Sequence, residues 1–247
     1  MPKKSTSWGR ELVWGEYQKE LILPNILRLL EIKNDETILD LGCGSGLFAK
    51  EFAAKGARVI GVDISAWLID LAKQSSIKNM EFFVAPAHQL NFIKDSSVDK
   101  IVVILAIQNI ENVSEVFQEC HRVLKNNGRL LMVMSHPAFR VPKESSWGWD
   151  EANKIQYRRI DNYLLESKVK IEMHPSMDSE QTASSHTWTF HRPLQFYFKT
   201  LNNNGFSVAR LEEWNSHKQS ESGPRSAAED KARKAIPMFL FIEANKN

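Results

Sequence analysis

The chain has almost no cysteine. Cys43 and Cys120 are the only two in 247 residues, which excludes a disulfide framework and suits a reducing compartment. Neither belongs to a metal-ligand spacing, so no metal site is expected. A charge of dominant sign is also missing: 32 Lys and Arg against 30 Asp and Glu leave a formal +2. Composition therefore announces neither a nucleic-acid nor an acidic-membrane partner. No apolar run reaches the roughly 18 to 20 residues of a membrane span. MPKKSTSWGRELVW starts basic but has no apolar core of signal-peptide length. The expectation is a soluble, cytoplasmic protein. Internal repeats and low-complexity segments are absent, and the length fits one α/β domain with an insertion.

What is present centres on residues 36–63, ETILDLGCGSGLFAKEFAAKGARVIGVD. Thr37 to Leu41 is a short apolar run stopped by Gly42-Cys43-Gly44-Ser45-Gly46, the pattern of a buried strand ending in a glycine turn. Leu47, Phe48, Phe52 and Ala53 then recur at helical spacing, and Gly56 closes that helix. Arg58 to Val62 forms a second strand that delivers Asp63. This is a βαβ unit with a glycine loop and, about 20 residues on, an acidic residue, the layout that binds a nucleoside in a doubly wound sheet. A dinucleotide fingerprint would need a third glycine where Leu47 stands. Asp40, just before the loop, disfavours a pyrophosphate and suits an ammonium or sulfonium.

Leu39-Asp40-Leu41-Gly42-Cys43-Gly44-Ser45-Gly46 resembles motif I of the class I S-adenosylmethionine-dependent methyltransferases, and further features from Asp63 to Gly128 follow in that family's order. The resemblance implies an α/β, doubly wound, seven-stranded and mostly parallel sheet of the Rossmann-like methyltransferase fold, with a lid insertion between strands five and six. It also implies S-adenosylmethionine as cofactor. The cofactor would be held by Tyr17, Asp40, Gly42, Cys43, Gly44, Gly46, Asp63, Ile64, Ala87, His88 and Ala106. Tyr17 belongs to an aromatic segment, with Trp8 and Trp14, that such enzymes fold over the cofactor. Simple core packing explains those aromatics equally well. Pro86 stands where relatives usually carry an Asp that reads adenine, which leaves His88, the backbone of Ala87, or shape alone for that task.

The rest of the chain divides into an N-terminal helical segment, 1–35, a cofactor-binding core, 36–139, a lid insertion, 140–191, and the last part of the sheet, 192–247. All belong to one domain. Pro24 is expected to kink the first helix or mark a fresh start. Ser97 to Ala106 carries a nearly continuous apolar run, as a central parallel strand requires. It is followed by Gln108 and Asn109, amides that orient a substrate but cannot act as bases near neutral pH. Arg122 to Gly128 resembles the family's turn before strand five, with an asparagine supplying the left-handed conformation.

Methyl transfer from a sulfonium is an in-line displacement in which positioning and water exclusion matter most, and a base is needed only when the acceptor must lose a proton first. The candidate bases are His136 and His191. Trp147, Trp149, Tyr157, Arg159 and Arg192 are the candidate acceptor contacts, since aromatics interleaved with arginines suit a flat or anionic molecule. A satellite core with a charged rim is the bland reading of the same residues. The acceptor is expected to be a small molecule. Arg158, Arg159, Lys168, Lys170, Lys231 and Lys234 keep an RNA or protein acceptor as the alternative, and Pro86 keeps open a non-catalytic cofactor-binding protein.

Overall fold

The computed structural model describes residues 15–172 and 186–247; the expected aromatic cover at Trp8 and Trp14 lies outside them. Thr37–Leu41 (β1) occupies the interior of a seven-stranded sheet. Arg58–Asp63 (β2) and Met80–Val84 (β3) extend it on one side, and Val98–Ile104 (β4), Leu124–Ser135 (β5), Phe239–Lys246 (β11) and Phe206–Trp214 (β10) on the other, in that spatial order. Pairing is parallel throughout except at β11, which runs antiparallel to both β5 and β10. The chain moves outward from β1 through β3 and then crosses back to β4, so the topological switch point lies between β1 and β4. Ligands of open α/β sheets bind outside the carboxyl ends of the strands at that point.

Period-2 alternation sends each strand's residues to two cores. Leu39, Leu41, Ile101 and Val103 pack with Val113–Val123 (α4) and Leu194–Asn203 (α5), while Ile38, Val59, Val102 and Ile104 pack with Leu23–Leu30 (α1), Leu47–Ala54 (α2) and Ala66–Gln74 (α3). Pro24 does mark a fresh start: a π-helical turn over Gln18–Ile22 precedes α1, and Pro24 sits in its first turn, where its missing N–H costs nothing. The turn before Arg129 contains Asn127 in the left-handed conformation, at φ 64°. The β4–β5 ladder shifts register across this turn, and β5 begins before it, at Leu124.

Between β5 and α5 the chain forms two antiparallel hairpins, Ser145–Asp150 (β6) with Ile155–Ile160 (β7), and Ser167–Glu172 (β8) with His186–His191 (β9). The first lies beside Ser226–Ala235 (α6), and β9 crosses the turn after β4. At the opposite edge of the sheet the charges satisfy one another, through Lys100 with Glu36, Lys125 with Asp99 and Arg129 with Glu243. Among the described residues no helix is long and apolar enough to cross a membrane.

Candidate functional site

The glycine loop is fastened to the second strand at both of its ends. Gly42 N–H and Cys43 N–H both donate to the Val62 carbonyl, at 2.7 and 3.0 Å. Asp63 then uses one carboxylate oxygen to accept from Gly44 N–H and the other from Ser65 N–H, each at 2.9 Å. A carboxylate oxygen accepts more than one hydrogen bond, so both retain capacity toward the cleft. Ser65 caps α3 by accepting from Leu68 N–H. Ile64, three-quarters exposed beside Asp63, leaves apolar surface in the open. Gly42 passes so close to Ala106, at the end of β4, that a Cβ there would lie 2.5 Å from the alanine's own.

Asp40 shares the face of Ile38, where the alternation calls for an apolar residue, and it is buried. The reason is the helix above it. Gly46, the N-cap of α2, has no side chain to offer, and the Ala49 N–H in the first turn donates to Asp40 instead. One carboxylate oxygen, Oδ2, is left without a partner. Burial, and next the charge of Asp63, push the Asp40 acid up to about 7. The same burial, reinforced by Asp40 and Asp63, pushes the Cys43 thiol up, so it stays protonated.

A cation binding near Asp40 would favour its ionised form. The folded protein holds this proton up to about pH 7, above the ordinary carboxylate range, so ionisation becomes available to a cationic ligand as pH rises through that value. Calorimetric titration with S-adenosylmethionine is expected to show the affinity ratio of wild type to Asp40→Asn rising from about pH 6 to 8. Parallel pH dependences would contradict a role for Asp40 in cation binding.

At the end of β4, Leu105 adopts a left-handed conformation, φ 54°, that a bulky residue rarely takes. Its N–H donates to Val133 O at 2.7 Å. Its carbonyl accepts from Gln108 Nε2 at 2.9 Å, which fixes the amide and leaves the buried Gln108 Oε1 without a partner. Thr189 of β9 reaches the Gln108 carbonyl from above. Pro86 closes a turn through the Gln89 N–H, Ala87 packs against the core under α4, and His88 turns toward Glu115, 3.8 Å away.

The two candidate bases are both engaged. His136, 2% exposed, accepts from Ala138 N–H through Nδ1, so in the neutral ring Nε2 carries the proton and donates to Glu213 at 2.7 Å. Burial outweighs the carboxylate and holds its pKa below the usual histidine value. His191 is buried and donates Nε2–H to the Tyr163 carbonyl at 2.7 Å. Tyr17 makes its ring and hydroxyl contacts with Ser216, His217 and Phe239, near the β10 and β11 ends rather than on the glycine loop.

Strand alternation places the acceptor candidates of the first hairpin on its two faces. Trp147 faces with Arg158, and Trp149 with Gln156, whereas Tyr157 opposes Gly148 and Arg159 opposes Ser146 on the other side. Tyr157 and Arg159 are exposed, and Arg159 pairs with Asp161. Trp149 lies under Arg225 and bonds Glu151. Arg192 is buried, donates to the Glu111 carbonyl at 2.8 Å, and keeps Nη1 without a partner. Sequence reading passed over Arg140, five residues beyond β5, and over the pairing register that sets Arg158 opposite Trp147.

The loop, Asp63 and the orphaned Asp40 oxygen suit a cationic nucleoside without phosphate, and residues 39–132 match the methyltransferase domain family. Residues 39–132 thus form a methyltransferase domain. Curated relatives are similar over about half of the chain. The biotin biosynthesis bifunctional protein BioHC of Cellvibrio japonicus is 33% identical over 56% of this chain and 26% of its own length. The demethylmenaquinone methyltransferase of Thermotoga maritima is 35% identical over 51% of this chain and 52% of its own. The chain thus spans about a quarter of the first relative and about half of the second. A crystal structure of an S-adenosylmethionine-dependent methyltransferase from Mesorhizobium loti, 24% identical, superposes with a TM-score of 0.68 over 90% of this chain and 96% of its own, a likeness of fold.

Proposed function

We propose that this cytosolic methyltransferase moves the methyl group of S-adenosylmethionine to a small-molecule acceptor lodged between the carboxyl edge of the sheet and the inserted hairpins, and that it does so by positioning rather than through a histidine base. The observation that carries the reading is the turn after β4, where a strained Leu105 and a fixed Gln108 leave a buried amide oxygen without a partner beside the switch point. Such an oxygen accepts an N–H or O–H of the acceptor and orients the attacking lone pair. The engaged nitrogens of His136 support the same view, as does the small-molecule chemistry named for the Thermotoga relative, a quinone methyltransferase. When bound, S-adenosylmethionine supplies the electrophilic methyl group. Asp63 and the glycine loop hold the nucleoside, and the hairpins exclude water.

The test is the pH profile of His136→Gln, followed as label passing from methyl-labelled cofactor into the small-molecule fraction of a cell extract. A positioning residue loses the same factor, about 10- to 100-fold, at every pH. A loss confined to neutral pH and restored at high pH would make His136 the base and overturn the positioning account.

A further inference from the structure

Two partly buried arginines are compensated by carboxylates, Arg122 by Glu119 and Asp95 and Arg129 by Glu243. Arg140 and Arg158 are not. Among the described residues neither has a carboxylate within 4.0 Å, although both are only partly exposed. Arg140 Nε is buried with no hydrogen-bond partner. Arg158 is held from behind, donating through Nε to the Phe139 carbonyl at 3.0 Å and through Nη2 to Ser145 Oγ at 2.8 Å, which leaves Nη1 free. The two guanidinium carbons stand 5.9 and 5.2 Å from the ring centroid of Trp147. Two uncompensated cations gathered on one indole are unfavourable unless something anionic completes the set. Burial, and then the charge of Arg158, lower the pKa of Arg140 accordingly.

We propose that Arg140, Arg158 and Trp147 bind an anionic group, a carboxylate or phosphate, carried by the methyl acceptor. Guanidinium forks match both groups in geometry, and the indole closes one side of the site against water. Its position fits an acceptor: Arg140 follows β5 at the ligand-facing edge, within electrostatic reach of His136 and Tyr17. Arg158 reaches the same place from β7, so the first hairpin closes the site from the far side. The assignment of this anion to the acceptor rests on the proposed function; the anion site itself does not.

The experiment is calorimetry on the full chain saturated with S-adenosylhomocysteine, titrated with malonate and with inorganic phosphate at constant ionic strength set by chloride. Saturable binding is expected for wild type, weakened about tenfold or more in Arg140→Gln and Arg158→Gln, with S-adenosylhomocysteine affinity unchanged. The anion that binds more tightly identifies the group. Arg158→Lys, which keeps the charge, guards against hairpin loss and is expected to bind more tightly than Arg158→Gln. Anion affinity equal in wild type and both glutamine variants, or no saturable binding of either anion, overturns the proposal. Failure of wild type to bind S-adenosylhomocysteine would contradict the proposed function, while the anion titration on the unsaturated chain would still decide this site.

Discussion

Replacing Gly44 by valine is expected to leave no measurable cofactor binding in a protein that still folds. Gly44 sits at φ +55°, and a Cβ built on it meets nothing within 4 Å, so the new side chain fills the cleft without colliding with the protein. A β-branched residue in the left-handed region costs roughly 1 to 2 kcal/mol, which a domain of ordinary stability tolerates. The cofactor has no such latitude, because the loop works by letting a ligand approach its backbone closely. Gly42→Val is the internal contrast. Its Cβ would stand 2.5 Å from that of Ala106, so that variant is expected to lose stability outright. Calorimetry with S-adenosylmethionine, beside thermal melting, separates the two. Normal binding by Gly44→Val would remove the glycine loop from the site.

Asp63→Ala is expected to weaken cofactor binding by about 1.5 to 3 kcal/mol, the range for a hydrogen bond to a charged group, or roughly ten- to more than a hundredfold. The carboxylate has two tasks. It anchors Gly44 N–H and Ser65 N–H, and under the proposed function its remaining lone pairs accept from the ribose hydroxyls. Asp63→Asn keeps one acceptor oxygen and is expected to fall between wild type and alanine. Unchanged affinity in the alanine variant, measured by titration calorimetry, would contradict this assignment.

The sheet and the loop were legible because local signals there agree with one another. Apolar runs end in glycines, Gly56 closes a helical pattern, and Asp63 ends a strand, so β1, α2 and β2 fall where the sequence puts them. The hairpins were not legible, for a physical reason. In β7 the exposed positions are Ile155, Tyr157 and Arg159, while Gln156, Arg158 and Ile160 are the half-buried ones, so hydropathy points away from the face that is covered. Trp147 and Arg158 come together only through pairing register, which spacing alone does not supply. His136 and His191 were visible as residues, yet their availability depends on Ala138, Glu213 and Tyr163. Asp40 was noticed for its charge, whereas its capping of α2 follows from the strand face it occupies.

The most direct test is to incubate the protein with methyl-labelled S-adenosylmethionine and a fractionated cell extract, with the Gly44→Val variant alongside. The account predicts label in the small-molecule fraction, absent with the variant and enriched in anionic species. Label in RNA or protein, or equal labelling by wild type and variant, would contradict it.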